Sequence, residues 1–167
     1  MKKGMFILLW FILMVAQIIL CNYFGLSRYV LISVLPVLIL MLPLGMGSIA
    51  TMLVAFACGL AVDFFSTGML GITPLALVPV ALVRRLLVSM VIGDDQISRD
   101  DELSFQTIGV PRMLLSNLLM CALFFLIFIW VDSAGTVGFW PAAGRFLLSV
   151  LVSTPVCAFA AKLLRPE

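Results

Sequence analysis

The stretch 113–131, MLLSNLLMCALFFLIFIWV, holds 19 residues without a single charge. A helix rises about 1.5 Å per residue, so this run reaches across the roughly 30 Å of hydrocarbon in a bilayer. Five more apolar runs fit the same ruler, predicting helices near 5–21, 29–44, 48–65, 69–92 and 142–164. The second is short, and the fourth is overlong and interrupted. Of the 167 residues 64% are hydrophobic and 11% charged, against about 25% charged in soluble domains; the mean hydropathy is +1.28. The expected fold is an all-α membrane protein in which six transmembrane helices form one bundle and residues 1–167 make one domain.

Charge decides orientation. Cytoplasmic loops carry an excess of Lys and Arg. With the N-terminus inside and six spans, Lys2, Lys3, Arg84, Arg85, Arg99, Arg112, Lys162 and Arg165 fall inside, and only Arg28 and Arg145 outside. Five spans would move Lys162 and Arg165 outside and leave six against four, so both termini are expected in the cytoplasm. The basic residues form no stripe that could track phosphates, which argues against nucleic-acid binding. The first run has bulky Ile18, Ile19 and Leu20 where a cleavage site needs small residues, and it exceeds the 7–15 residues typical of a signal peptide's apolar core. It reads as an uncleaved span.

Few residues offer chemistry. The chain has no histidine, so neither a Ser-His nor a Cys-His pair exists, and no P-loop or dinucleotide fingerprint is present. Cys21, Cys58, Cys121 and Cys157 lie in apolar runs without a C-x-x-C pair and read as small packing residues. The loop 93–112 carries Asp94, Asp95, Asp100, Asp101 and Glu102. Magnesium for a diphosphate substrate normally takes two facing acidic clusters, so this single one reads as solvated loop. No cofactor, metal or catalytic set is expected. Asp63 falls toward the outer end of its span, where it either caps the next helix or meets a partner or substrate. Asp63 and Asp132 both fall at outer helix ends, and two such carboxylates can activate water in an aspartyl peptidase.

Small residues recur every four positions in two helices: Gly47, Thr51, Ala55 and Gly59 in the third, and Ser149, Ser153, Cys157 and Ala161 in the sixth. Such stripes let transmembrane backbones approach closely, either inside the bundle or against a partner's helix. Arg84 and Arg85 either snorkel from a tilted fourth helix or end it. Pro74 and Pro79 remove backbone donors from the same helix.

The segment from Gly59 through Asp63, Ser66, Gly68 and Gly71 to Pro74 and Leu77, GLAVDFFSTGMLGITPLAL, resembles the signature of the MreD family of rod shape-determining membrane proteins: a glycine, an apolar pair, an aspartate, a Ser- and Gly-containing turn and a Leu-Gly step before an apolar helix. Thr73-Pro74 and the long acidic loop depart from the usual pattern. In physical terms the motif is a tight outer turn, with Asp63 closing one helix, Ser66 or Thr67 capping the next, and Gly68 and Gly71 allowing the reversal.

The resemblance implies a fold like the substrate-binding subunits of energy-coupling-factor transporters. It also implies a non-enzymatic scaffold of bacterial cell elongation in the inner membrane, binding an MreC-like bitopic protein and, directly or through that partner, the glycosyltransferase and transpeptidase of peptidoglycan synthesis. Two alternatives stand beside it: a small-molecule-binding transporter subunit, for which Gln17, Asn22, Asp63 and Thr73 are the main polar candidates, and the aspartyl peptidase.

Overall fold

The computed structural model describes residues 3–24, 31–43, 46–67, 70–92, 110–133 and 138–164. Within them the chain is all-helical: α1 Lys3–Phe24, α2 Leu35–Leu40, α3 Ser48–Val62, a π-helical turn Asp63–Thr67, α4 Ile72–Ile92, α5 Val110–Asp132 and α6 Phe139–Leu164. Five helices are long and apolar enough to cross a membrane: those containing Gly4–Tyr23, Ser48–Ser66, Ile72–Val91, Pro111–Asp132 and Trp140–Leu164. Their outward faces carry large apolar side chains such as Phe11, Leu53, Leu82 and Leu151, as lipid-facing surfaces do.

The second run departs from expectation. Sequence predicts a helix over 29–44, but among the described residues 31–43 helix is confined to Leu35–Leu40, and residues 31–34 before it are non-helical. Pro36 explains the break. A helix continuing back from Leu40 would need the residue 36 N–H to reach the Ile32 carbonyl; proline has no N–H, and its ring strikes that carbonyl, at a cost of about 3 kcal/mol or more. At the other end Pro43 disfavours helical geometry in the residue before it. A proline in its first turn and another just past its end thus limit the helix to six residues, all of them buried.

Non-helical backbone in an apolar interior is tolerable only if its polar groups find partners, because each one left bare costs several kcal/mol. Side chains from three helices supply them. On α6, Ser149 Oγ accepts from the Leu31 N–H at 3.0 Å, Ser153 Oγ accepts from the Ser33 N–H at 3.3 Å and donates to the Leu31 carbonyl at 3.2 Å, and Cys157 Sγ donates to the Ser33 carbonyl at 3.2 Å. Four residues of helix rise about 6 Å, so Ser149 and Ser153 stand far enough apart to meet backbone N–H groups two residues apart, at Leu31 and Ser33. From α1, Gln17 donates to the Ile32 carbonyl at 3.4 Å and accepts from the Val34 N–H at 2.7 Å.

The far end of α2 exposes carbonyls that no following turn covers. Trp10 Nε1 donates to Leu38 O at 3.1 Å. The Arg84 guanidinium donates to Leu40 O through Nε at 3.3 Å and Nη2 at 3.1 Å, and also to Leu42 O. Arg84 therefore neither snorkels nor ends its helix: it is 3% exposed, and α4 continues to Ile92, with Arg85 exposed. Pro74 lies in the first turn of α4, where a missing N–H costs nothing; only Pro79 interrupts the helix interior. Because Gln17 meets residues 32 and 34 while Trp10 meets residue 38, the segment runs back along α1, antiparallel to it.

Replacing Ser153 by Ala leaves the Ser33 N–H and the Leu31 carbonyl bare, and the expected loss is about 1–3 kcal/mol. Arg84→Met, which strips two carbonyls, is expected to cost more, whereas Arg85→Met stays within about 0.5 kcal/mol of the unaltered chain. Reversible unfolding in mixed micelles, measured on all three variants, checks the ranking.

Candidate functional site

The segment that carries the family resemblance folds into the α3–α4 hairpin and the π-helical turn at its tip. Asp63 forms the C-cap of α3. Its Oδ2 accepts from the Gly71 N–H at 2.8 Å and the Thr73 N–H at 3.1 Å. A carboxylate at a helix N-terminus sits against the positive end of the backbone dipoles, so Asp63 joins the end of one helix to the start of the next. It is 1% exposed. The first N–H groups of α4 thus go to Asp63 and not to Ser66, the capping residue expected alongside Thr67. Gly71 has φ +112°, a region that L side chains rarely adopt.

Below the tip, a Cβ built on Gly59 would stand 2.6 Å from the Pro74 nitrogen and 2.7 Å from its Cα. Only glycine lets α4 lie this close to α3. The rest of that stripe divides. Thr51 and Ala55 are buried, and Thr51 Oγ1 donates to the Gly47 carbonyl at 3.2 Å. A Cβ on Gly47, by contrast, would meet nothing within 4 Å, so no close approach occurs there. In the α6 stripe, the hydroxyls of Ser149 and Ser153 and the thiol of Cys157 hold backbone of residues 31 and 33, a use that spacing alone does not distinguish from helix packing.

With Asp63 turned inward, the tip presents Phe64 and Phe65, 68% and 61% exposed, their rings edge to face at 5.2 Å. Asn22 Nδ2 on α1 donates to the Phe65 carbonyl at 3.2 Å and ties the tip to the end of α1. These two aromatics escape sequence reasoning because an apolar residue beside an apolar span carries no signal of its own. Gln17 and Arg84 stand out in the sequence, but their partners do not, for a related reason: a lone polar residue in a span signals a partner without saying which one.

The other candidates separate. Asp132 pairs with Arg145 at 3.2 Å at a partly exposed junction of α5 and α6, so the two aspartates weighed as a catalytic pair engage different groups. Cys121 and Cys157 face each other with sulfurs 3.6 Å apart, and the four cysteines are free thiols. Among the described residues no group of three or more Cys, Asp or Glu could hold a metal. Gly68 and the acidic stretch 94–102 lie outside the described residues. Comparison with family models, with curated proteins and with solved structures gives no match.

Gly59→Ala is expected to destabilise the hairpin by about 1–3 kcal/mol through overpacking, while Gly47→Ala is close to neutral. The bonds from the Gly71 and Thr73 N–H groups end on one oxygen of Asp63, which an amide carbonyl can replace. Asp63→Asn therefore keeps most of the stability that Asp63→Ala loses, about 1–2 kcal/mol. Thermal unfolding in detergent, followed by helical circular dichroism, compares the four.

Proposed function

We propose that the chain is a non-enzymatic scaffold of the MreD type, which crosses the bacterial inner membrane six times and holds an MreC-like bitopic partner in the machinery of lateral cell-wall synthesis. The observation that carries this reading is the coherence of the resembling segment: Gly59, Asp63, Gly71 and Pro74 each have a distinct role in one turn, through close approach, inward carboxylate, positive φ and proline-tolerant first turn. The tip they build displays an aromatic pair, the residue type that most often anchors protein contacts. Gln17 favours the scaffold over a small-molecule-binding subunit, since its amide is engaged by backbone at both ends.

In this reading residues 31–43 supply the sixth crossing, in broken rather than helical form, and both termini are cytoplasmic. Exposed Tyr23, Trp130 and Trp140 sit at the helix ends nearest the Asp63 turn and the Asp132–Arg145 pair, as in the aromatic belt of a membrane interface. Exposed Arg85, Arg112 and Lys162 lie toward the opposite ends, where the positive-inside bias places the cytoplasm.

Depletion of the protein should round the cells and disperse new wall synthesis; unchanged shape and an unchanged lateral pattern would remove the proposal. Gly59→Leu and Gly71→Val should each reduce copurification of the partner several-fold, with Asp94→Asn near the unaltered level, because backbone approach and turn geometry admit no bulk. Equal losses would count against the hairpin as the contact. Reporter fusions at the two termini, each active only on one side, test the six-crossing topology.

A further inference from the structure

Residues 31–34 are held differently from everything around them. The helices carry their own backbone hydrogen bonds, whereas Leu31, Ser33 and Val34 lend their N–H groups to Ser149, Ser153 and Gln17, side chains 118, 120 and 17 positions away. Release of Leu31, Ile32 and Ser33 breaks no helical turn, and Val34, whose carbonyl accepts from the Leu38 N–H at 3.2 Å, is where the bonding of α2 begins. The seal is graded too: Leu31 and Ile32 are only half-buried, while Ser33 to Leu42 are buried. From the Val34 carbonyl onward the segment has helical bonds of its own, and Trp10 and Arg84 grip its later carbonyls. Proteins open locally where backbone bonds are few and cooperativity with the rest is weak.

We propose that residues 31–33 are a strap that opens from the Leu31 end and swings at Val34 while the helices around it stay folded. The Val34 N–H parts from Gln17, and the Val34 carbonyl stays in the first turn of α2. Opening withdraws the strand from the ladder and uncovers Gln17, Ser149, Ser153 and Cys157 as a polar slot between α1 and α6. The hinge is the start of α2, where Pro36 already forbids helical continuation. Closure restores the seal because the slot's donors and acceptors match the N–H and carbonyl groups of residues 31–34 and an apolar interior offers them nothing else.

Hydrogen exchange of the full chain in lipid nanodiscs tests this. The Leu31, Ser33 and Val34 amides should exchange together, about 100-fold faster than mid-helix amides of α3 and α4. Ser153→Ala should speed the strap amides about tenfold and leave α3 and α4 unchanged. Ser149→Ala, at the half-buried end, should act in the same direction more weakly. Strap amides as slow as those of α3 and α4 would overturn the proposal, as would either substitution speeding all amides alike. Should a variant fail to fold, the ratio within the unaltered chain still decides.

Discussion

An apolar interior does not forgive an unpaired peptide group, and the bundle is organised around one place where helix cannot supply the pairing. Proline at position 36 keeps the short helix of the second apolar run from extending back toward residue 31. The exposed backbone then has to be met from outside its own segment. Gln17, Trp10, Arg84, Ser149, Ser153 and Cys157 come from α1, α4 and α6, and each ends on that segment. Residues scattered over 148 positions of sequence thereby share one purpose. The segment is less a sixth helix than a core onto which the others close.

The α3–α4 hairpin uses a second, more local solution. A carboxylate buried among apolar side chains is costly unless its charge is met by donors. Asp63 meets two N–H groups at the start of α4, groups that would themselves be bare. Each side relieves the other's cost, which fixes the spacing between aspartate and helix start. The nearby contact of Gly59 with the Pro74 backbone then brings the helices together at a distance that a Cβ at position 59 would not permit.

Much of this was legible in sequence, and for a physical reason. Apolar run length reports on lipid directly, so the five long helices fall close to where hydropathy puts them. Asp63 and Gly71 stand out because a charge in a span and a glycine at a reversal each have few explanations. The second run was misread because hydropathy sees burial and not conformation: Leu35 to Leu42 are as buried as any helix, and only Pro36 and Pro43 mark the break. The α6 stripe was visible as a pattern, but a period of four serves close packing and backbone pairing equally. Arg84 was read as a residue seeking water because its true partners are carbonyls, which every residue has and no sequence singles out.

The ladder on α6 covers only two backbone residues. Ser149 takes the N–H of Leu31, Ser153 takes the N–H of Ser33 and the carbonyl of Leu31, and Cys157 takes the carbonyl of Ser33. Ile32 and Val34, between and after them, turn to Gln17 on α1. Odd and even residues thus answer to different helices, and a slip of the segment by one residue would present each helix with the other's set. From Val34, whose carbonyl accepts from the Leu38 N–H, the backbone returns to pairing with itself.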